Sequence, residues 1–129
     1  MPIQTPTMDA FATTGIRLER FYATTVCSVT RSCLLTGRHT IRTAVNNSRG
    51  LDLSEHIMPQ SFKAAGYQTA ITGKWHLGHA RREYLPHHRG FDHAYGHLNG
   101  SIDYYTHARE AGLDWHRTGK SVREPGYTT

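Results

Sequence analysis

Two short runs hold the residues best suited to chemistry. The first is Cys27-Ser28-Val29-Thr30-Arg31, which runs on through Leu34 and Leu35 to Thr36-Gly37-Arg38. If residues 28–37 form a helix, Cys27 stands at its N-terminus, where free backbone N–H groups and the positive end of the dipole favour an anion and ease loss of a proton. Arg31, one turn further on and facing the same way, adds a guanidinium whose paired donors suit sulfate, phosphate or carboxylate. The second run is Gly73-Lys74-Trp75-His76-Leu77-Gly78. On an extended segment Lys74 and His76 point to one side, which pairs a fixed positive charge with a proton carrier. Both runs also have a plainer reading. A cysteine is often just a small buried side chain, an arginine a surface salt-bridge partner, and many loops after strands carry such a lysine and histidine.

The elements that must hold these residues can be read from pattern. Pro6, after the hydroxyl of Thr5, opens a short helix that carries Met8, Phe11 and Ala12 and stops at Gly15. Ile16, Leu18, Phe21 and Tyr22 lie in a roughly alternating run that predicts a strand over 16–22 with one buried face. The helix over 28–37 turns Leu34 and Leu35 inward and closes at Gly37. Residues 42–54 lack a period and read as loop. Pro59 opens a third helix with Phe62 and Ala65 inward and Gly66 as its end, and 67–72 is a short strand. The order strand, helix, helix, strand predicts an α/β layer with a parallel sheet, and ligands bind such sheets at the C-terminal strand ends, where Lys74 and His76 fall. Residues 79–105 read as a long surface connection. Around Thr118-Gly119-Lys120 the pattern allows a hairpin.

Composition narrows the field. With 129 residues the chain is one domain at most, and 37% hydrophobic residues leave a thin core. No apolar run approaches the ~20 residues a membrane span needs. The net charge of +5, from 15 Lys+Arg against 10 Asp+Glu, favours anionic partners. Two cysteines, Cys27 and Cys33, are too few for a disulfide scaffold. Joined by helix, their α-carbons lie about 9 Å apart, beyond the ~7 Å reach of a bridge. The start Met1-Pro2-Ile3-Gln4 has neither the basic cap nor the apolar stretch of a signal peptide.

Taken together the motifs resemble a known family. The segment from Cys27 to Arg31 followed by Thr36-Gly37-Arg38 is similar to the signature of the type I sulfatases, Cys-x-Pro-x-Arg followed by Thr-Gly-Arg. Further elements agree in order. Thr5-Pro6-Thr7-Met8-Asp9 precedes it, and Lys63-Ala64-Ala65-Gly66-Tyr67-Gln68-Thr69, the Gly73 to Gly78 run, Arg89-Gly90-Phe91-Asp92 and Gly100-Ser101-Ile102-Asp103-Tyr104-Tyr105-Thr106-His107 follow. Several motifs in order are far more specific than one. Within the family the chain looks most like the arylsulfatase B group, from about Thr5 to its end.

The resemblance implies an α/β fold, a partial alkaline-phosphatase-like sulfatase sheet flanked by helices that lacks its first strand and the C-terminal part. Residues 1–129 would then be a partial N-terminal catalytic domain, signature-bearing over about 5–78 and loop-rich with a hairpin over 79–129. It implies hydrolysis of sulfuric esters, on sulfated glycans, by a formylglycine that a formylglycine-generating enzyme makes from the signature cysteine, here Cys27. Arg31 would hold the aldehyde hydrate and stabilise its oxyanion. Lys74 would bridge hydrate and substrate sulfate, and His76 would hydrogen-bond the hydrate and assist elimination. Calcium is the implied metal, with Cys27 as formylglycine the one ligand in this chain, because the family's acidic pairs fall outside it. The expectation is therefore a catalytic-domain fragment with little or no activity alone. A lysosomal or secreted location is also implied, and Asn46-Asn47-Ser48 and Asn99-Gly100-Ser101 fit the glycosylation pattern.

Three departures qualify this. Val29 stands where the signature has the proline that the modifying enzyme reads, which suggests that Cys27 keeps its thiol. Cys33 is a second thiol within the segment. Residues 46–55 lack the cysteines of the arylsulfatase B group, so no local disulfide is implied. Two rival readings remain: a His-rich zinc module built from His76, His79, His87, His88, His93 and His97, and a basic nucleic-acid binder. Gly90 and Gly96 oppose the helix that would align His93 with His97, and the arginines are spread along the chain with no recognised nucleic-acid module.

Overall fold

A computed structural model describes residues 3–45, 50–110 and 112–128, so Asn46-Asn47-Ser48 and part of the 42–54 loop lie outside the described residues. Four helices come first: α1 (Pro6–Thr14), α2 (Cys27–Thr36), α3 (Thr40–Thr43) and α4 (Met58–Ala64). Helix α2 begins at Cys27 because Val26 is still extended, and it ends at Gly37, whose left-handed φ of 66° suits a residue with no Cβ. Its inner face is Ser28, Ser32 and Leu35, and the small hydroxyls let α3 approach so closely that Ser32 Oγ lies 3.2 Å from Thr43 Oγ1. Leu34, expected inward, is 62% exposed.

Helix α4 starts as expected with Pro59 in its first turn, and the Gln60 side chain accepts from the Ile57 N–H at 2.8 Å. Phe62 and Ala65 point outward, against expectation, because the helix is short and anchors through Ile57 and Pro59 instead. Phe62 meets Tyr67 edge-on, with ring centroids 5.5 Å apart.

The strand expected over 16–22 does not form among the described residues, and Ile16, Leu18, Phe21 and Tyr22 are all exposed. No other strand pairs with that segment, and an unpaired strand has nowhere to place its backbone hydrogen bonds. The parallel partner of β1 (Ala70–Thr72) is instead β2 (His93–Gly96), in register Ala70 to His93 and Thr72 to Tyr95. This element lies inside the supposed surface connection. Residues 79–105 also contain 3-10 turns at Arg82–Tyr84 and Pro86–His88, and Phe91 is buried.

The sheet is mixed, in the order β1-β2-β5-β6, with β5 (His116–Arg117) antiparallel to β2 and joined to β6 (Lys120–Ser121) by the expected hairpin. A separate hairpin pairs β3 (Ala108–Arg109) with β4 (Gly112–Leu113). The core lies between the sheet and α2, centred on Trp75, which is 2% exposed and meets Phe91 edge-on at 6.1 Å. The Trp75 indole N–H donates to the carbonyls of Gly78 and Tyr84, each at 3.0 Å, so no polar atom of this large side chain is stranded.

Several motif residues hold the frame rather than the site. Lys63 pairs with Asp92 at 2.5 Å, and the Asp92 carboxylate also accepts from the Thr69 N–H at 3.0 Å. The Lys63 hydrogen bond, with those from Thr69, holds the Asp92 carboxyl down at about 2. Buried Arg89 donates to the carbonyls of Asp52 and Glu55, and Arg38 grips both Glu55 oxygens at 2.6 and 2.7 Å.

Candidate functional site

Beyond β1 the chain continues alongside 95–98. Gly73 N–H donates to Tyr95 O at 2.7 Å, Trp75 N–H to His97 O at 2.9 Å and His76 N–H to Leu98 O at 3.0 Å. Side chains alternate along such a ladder, so burying Trp75 in the core turns Lys74 and His76 to the opposite side, toward the start of α2. The approach demands glycine. A Cβ on Gly96 would sit 2.1 Å from Gly73 O, and one on Gly100 would sit 2.8 Å from the His76 ring. His76 itself takes a left-handed φ of 55°, which bends the chain away and leaves its ring against Gly100.

At the N-terminus of α2 the exposed Cys27 Sγ accepts from Lys74 Nζ at 3.0 Å and lies 3.3 Å from His76 Nδ1. Arg31 joins the two runs differently. Its Nε donates to Trp75 O at 2.7 Å, and its Nη2 donates to Lys74 O. All four residues selected from the sequence therefore converge, three in direct contact and Arg31 through the carbonyls of the second run. The Lys74 hydrogen bond, helped by its charge, pulls the Cys27 thiol below its ordinary range against an opposing effect of burial. Burial, and then the charges of Lys74, Arg109, Arg31 and His79, push the His76 imidazole down. Both shifts run in one sense, toward the thiolate at Cys27 and toward the neutral imidazole at His76.

Two features escaped the sequence reading. Asp114, buried, accepts from the N–H groups of Leu98 and Asn99 at 3.0 and 2.8 Å, from the Asn99 amide at 2.8 Å and from His116 Nε2 at 3.0 Å. It thereby clamps the segment that receives the His76 N–H. Arg109, on β3, donates through Nη1 to the Ser101 carbonyl and hydroxyl, each at 3.2 Å, next to the Gly100 that touches His76. One faint signal for Asp114 is a carboxylate set between Leu113 and Trp115 in a strand-like run.

The donor set around Cys27 does not suit calcium. It consists of a sulfur, an imidazole and two cations, whereas calcium takes roughly six to eight oxygens. Among the described residues no three His, Cys, Asp or Glu side chains gather to hold a metal, so the zinc-module reading has no site. His79, His88 and His93 stand exposed, and His97 stacks on Trp115 with centroids 6.5 Å apart.

Comparison with known proteins identifies the family. A family model described as Sulfatase matches residues 1–118. The chain is similar to arylsulfatase J of Mus musculus, 42% identical over 112 residues that cover 81% of this chain and 19% of that protein. It is similar to N-acetylgalactosamine-6-sulfatase of Sus scrofa, 34% identical over 140 aligned residues, covering 94% of this chain and 27% of that protein. Its fold matches the solved structure of BT4656 in complex with its substrate D-glucosamine-2-N,6-O-disulfate at a TM-score of 0.74 and 35% identity, over 97% of this chain and 24% of that one. The sheet and its flanking helices are thus part of an alkaline-phosphatase-like fold, and the chain spans between 19% and 27% of these curated relatives.

Proposed function

Because the chain belongs to the sulfatase family, we propose that Cys27, Lys74 and His76 form the reacting cluster of a sulfuric ester hydrolase site, fixed by Arg31 and acting on sulfated sugars. One observation carries this reading. Lys74 Nζ and His76 Nδ1 lie 3.0 and 3.3 Å from Cys27 Sγ, although 47 and 49 positions separate them from it in sequence. The sugar as substrate is supported by the ligand in the BT4656 structure, a sulfated glucosamine.

The family generally uses formylglycine and calcium. A formylglycine on the Cα of residue 27 fits the surroundings, since an exposed helix start, an amine and an imidazole all face it, and when present it supplies a hydrated-aldehyde oxygen as nucleophile. Lys74 places its charge at that atom, where negative charge on the transferring sulfate group accumulates. His76, shifted toward its neutral form by burial and the neighbouring cations, can accept a proton at the nitrogen that faces residue 27 and return it later. Arg31 lends positive charge while its donors lock the carbonyls of Lys74 and Trp75, so its part is to set the distance between α2 and the strand end. No step is assigned to calcium, which the donor set around Cys27 does not fit.

A lysosomal or extracellular location goes with this reading. No helix among the described residues is long and apolar enough to cross a membrane.

The test uses the longest reading frame that carries this chain, produced with the formylglycine-generating enzyme and assayed on p-nitrophenyl sulfate. Cys27→Ala is expected to abolish turnover and Lys74→Ala to lower it about a hundred-fold or more. Unchanged turnover in both variants refutes the assignment.

A further inference from the structure

Three permanent cations surround His76, and two are already committed. Lys74 donates to Cys27, and Arg31 is held on two backbone carbonyls. Arg109 is the third, and its charge contributes to the low position of His76. Its place is well defined. Asp103 locks the preceding turn by accepting from the N–H groups of Tyr105 and Thr106 at 3.0 and 2.7 Å, and Asp103 N–H donates to Ala108 O at 2.9 Å. The resulting β3–β4 hairpin delivers the Arg109 Nη1 to Ser101, one residue from the glycine that packs on His76.

The Arg109 side chain is 38% exposed, and among the described residues it pairs with no buried acid. Its ion pair is with Glu110, at 3.7 Å and 86% exposed, which water and salt weaken. A sulfate monoester brings a single negative charge, for which Lys74 already provides. The geometry therefore leaves a forked cation on the rim, beside the reacting cluster, with donors suited to another oxyanion.

Resting on the sulfatase reading above, we propose that Arg109 is a specificity-determining residue that receives a second anionic group, sulfate or carboxylate, borne by the same sugar substrate whose ester faces Cys27. The site thus prefers sugars with two negative groups over those with one.

Binding to this chain, followed through the His76 ring resonances, tests it. The probes are N-acetylglucosamine 6-sulfate with one anion, glucosamine 2-N,6-O-disulfate with two sulfates, and a 6-sulfated N-acetylgalactosamine linked to glucuronic acid with a sulfate and a carboxylate. At least one doubly anionic probe is expected to bind about tenfold tighter than the singly anionic one, and which of them does so identifies the second group. Arg109→Gln keeps a donor for Ser101 but removes the charge, and is expected to erase that preference, weakening the doubly anionic probe about tenfold more than the singly anionic one; Arg109→Lys retains part of it. The proposal is overturned if Arg109→Gln weakens all three probes equally, if it weakens none, or if no preference exists in the unaltered chain. If no probe shifts His76 in any of the proteins, the sulfatase assignment of the cluster fails as well, which sets that outcome apart.

Discussion

Replacing Asp114 with asparagine tests whether one buried carboxylate holds the rim of the site. Its side chain is 7% exposed and takes four hydrogen bonds, from Leu98 N–H, Asn99 N–H, the Asn99 amide and His116. Burial alone would raise this carboxyl, but the bonds from His116, Leu98 and Asn99 outweigh it and hold it well below the ordinary range. A carboxamide keeps one acceptor oxygen and sets an NH2 against a donor, so about two bonds are lost at about 1.5–3 kcal/mol each, offset in part by no longer burying a charge. The net loss is about 3 kcal/mol, or about 10 °C in Tm for a chain of this size. The sign with pH follows from the depressed folded pKa. The stabilisation is complete above the unfolded value near 3.9 and is lost as pH falls through the folded value, so the gap between the unaltered chain and Asp114→Asn narrows below about pH 4. Thermal unfolding followed by near-ultraviolet circular dichroism of Trp75 and Trp115, at about pH 7 and about pH 3, measures it. A gap under about 0.5 kcal/mol at neutral pH, or one that does not change with pH, refutes the clamp.

Lys74→Met removes the main support of the Cys27 thiolate, so alkylation of Cys27 by iodoacetamide should shift to higher pH while Cys33, the internal reference, stays put; an unmoved Cys27 profile contradicts the contact. Val29 lies in the first turn of α2, where its N–H has no acceptor within the helix, so Val29→Pro is compatible with the fold and should raise conversion of Cys27 in cells carrying the modifying enzyme. Peptide mass spectrometry reads this as a loss of about 18 Da, the change from thiol to aldehyde, and equal conversion in both proteins removes Val29 as the obstacle. Gly96→Ala forces a Cβ to 2.1 Å from Gly73 O at a φ of 139°, and should abolish the dispersed amide spectrum of the folded chain.

The parts of the site governed by local rules were legible in the sequence. Gly37 marks the end of α2, which puts Cys27 at its start, and alternation about Trp75 sends Lys74 and His76 to one side. What failed depends on contacts distant in sequence. Apolar alternation over 16–22 states only that a strand could form, not that a partner strand exists to pair with it. Conversely, His93-Ala94-Tyr95-Gly96 shows little strand propensity, yet it pairs with β1 because the core beneath it buries Ala94 and Gly96 permits the close approach of Gly73. Asp114 and Arg109 act on the 98–101 segment across 8 to 16 positions, a separation no local pattern records.

The hairpin that carries Arg109 is built from strands of two residues each, whereas Cys27, Lys74 and His76 stand on a helix and on a ladder braced by Trp75. On the proposed assignments, reaction and selection are housed on separate elements of the chain. On that assignment a hairpin of this kind can exchange its exposed side chains while the helix and the ladder keep their own hydrogen bonds, which would give descent with modification an inexpensive route from one sulfated sugar to another.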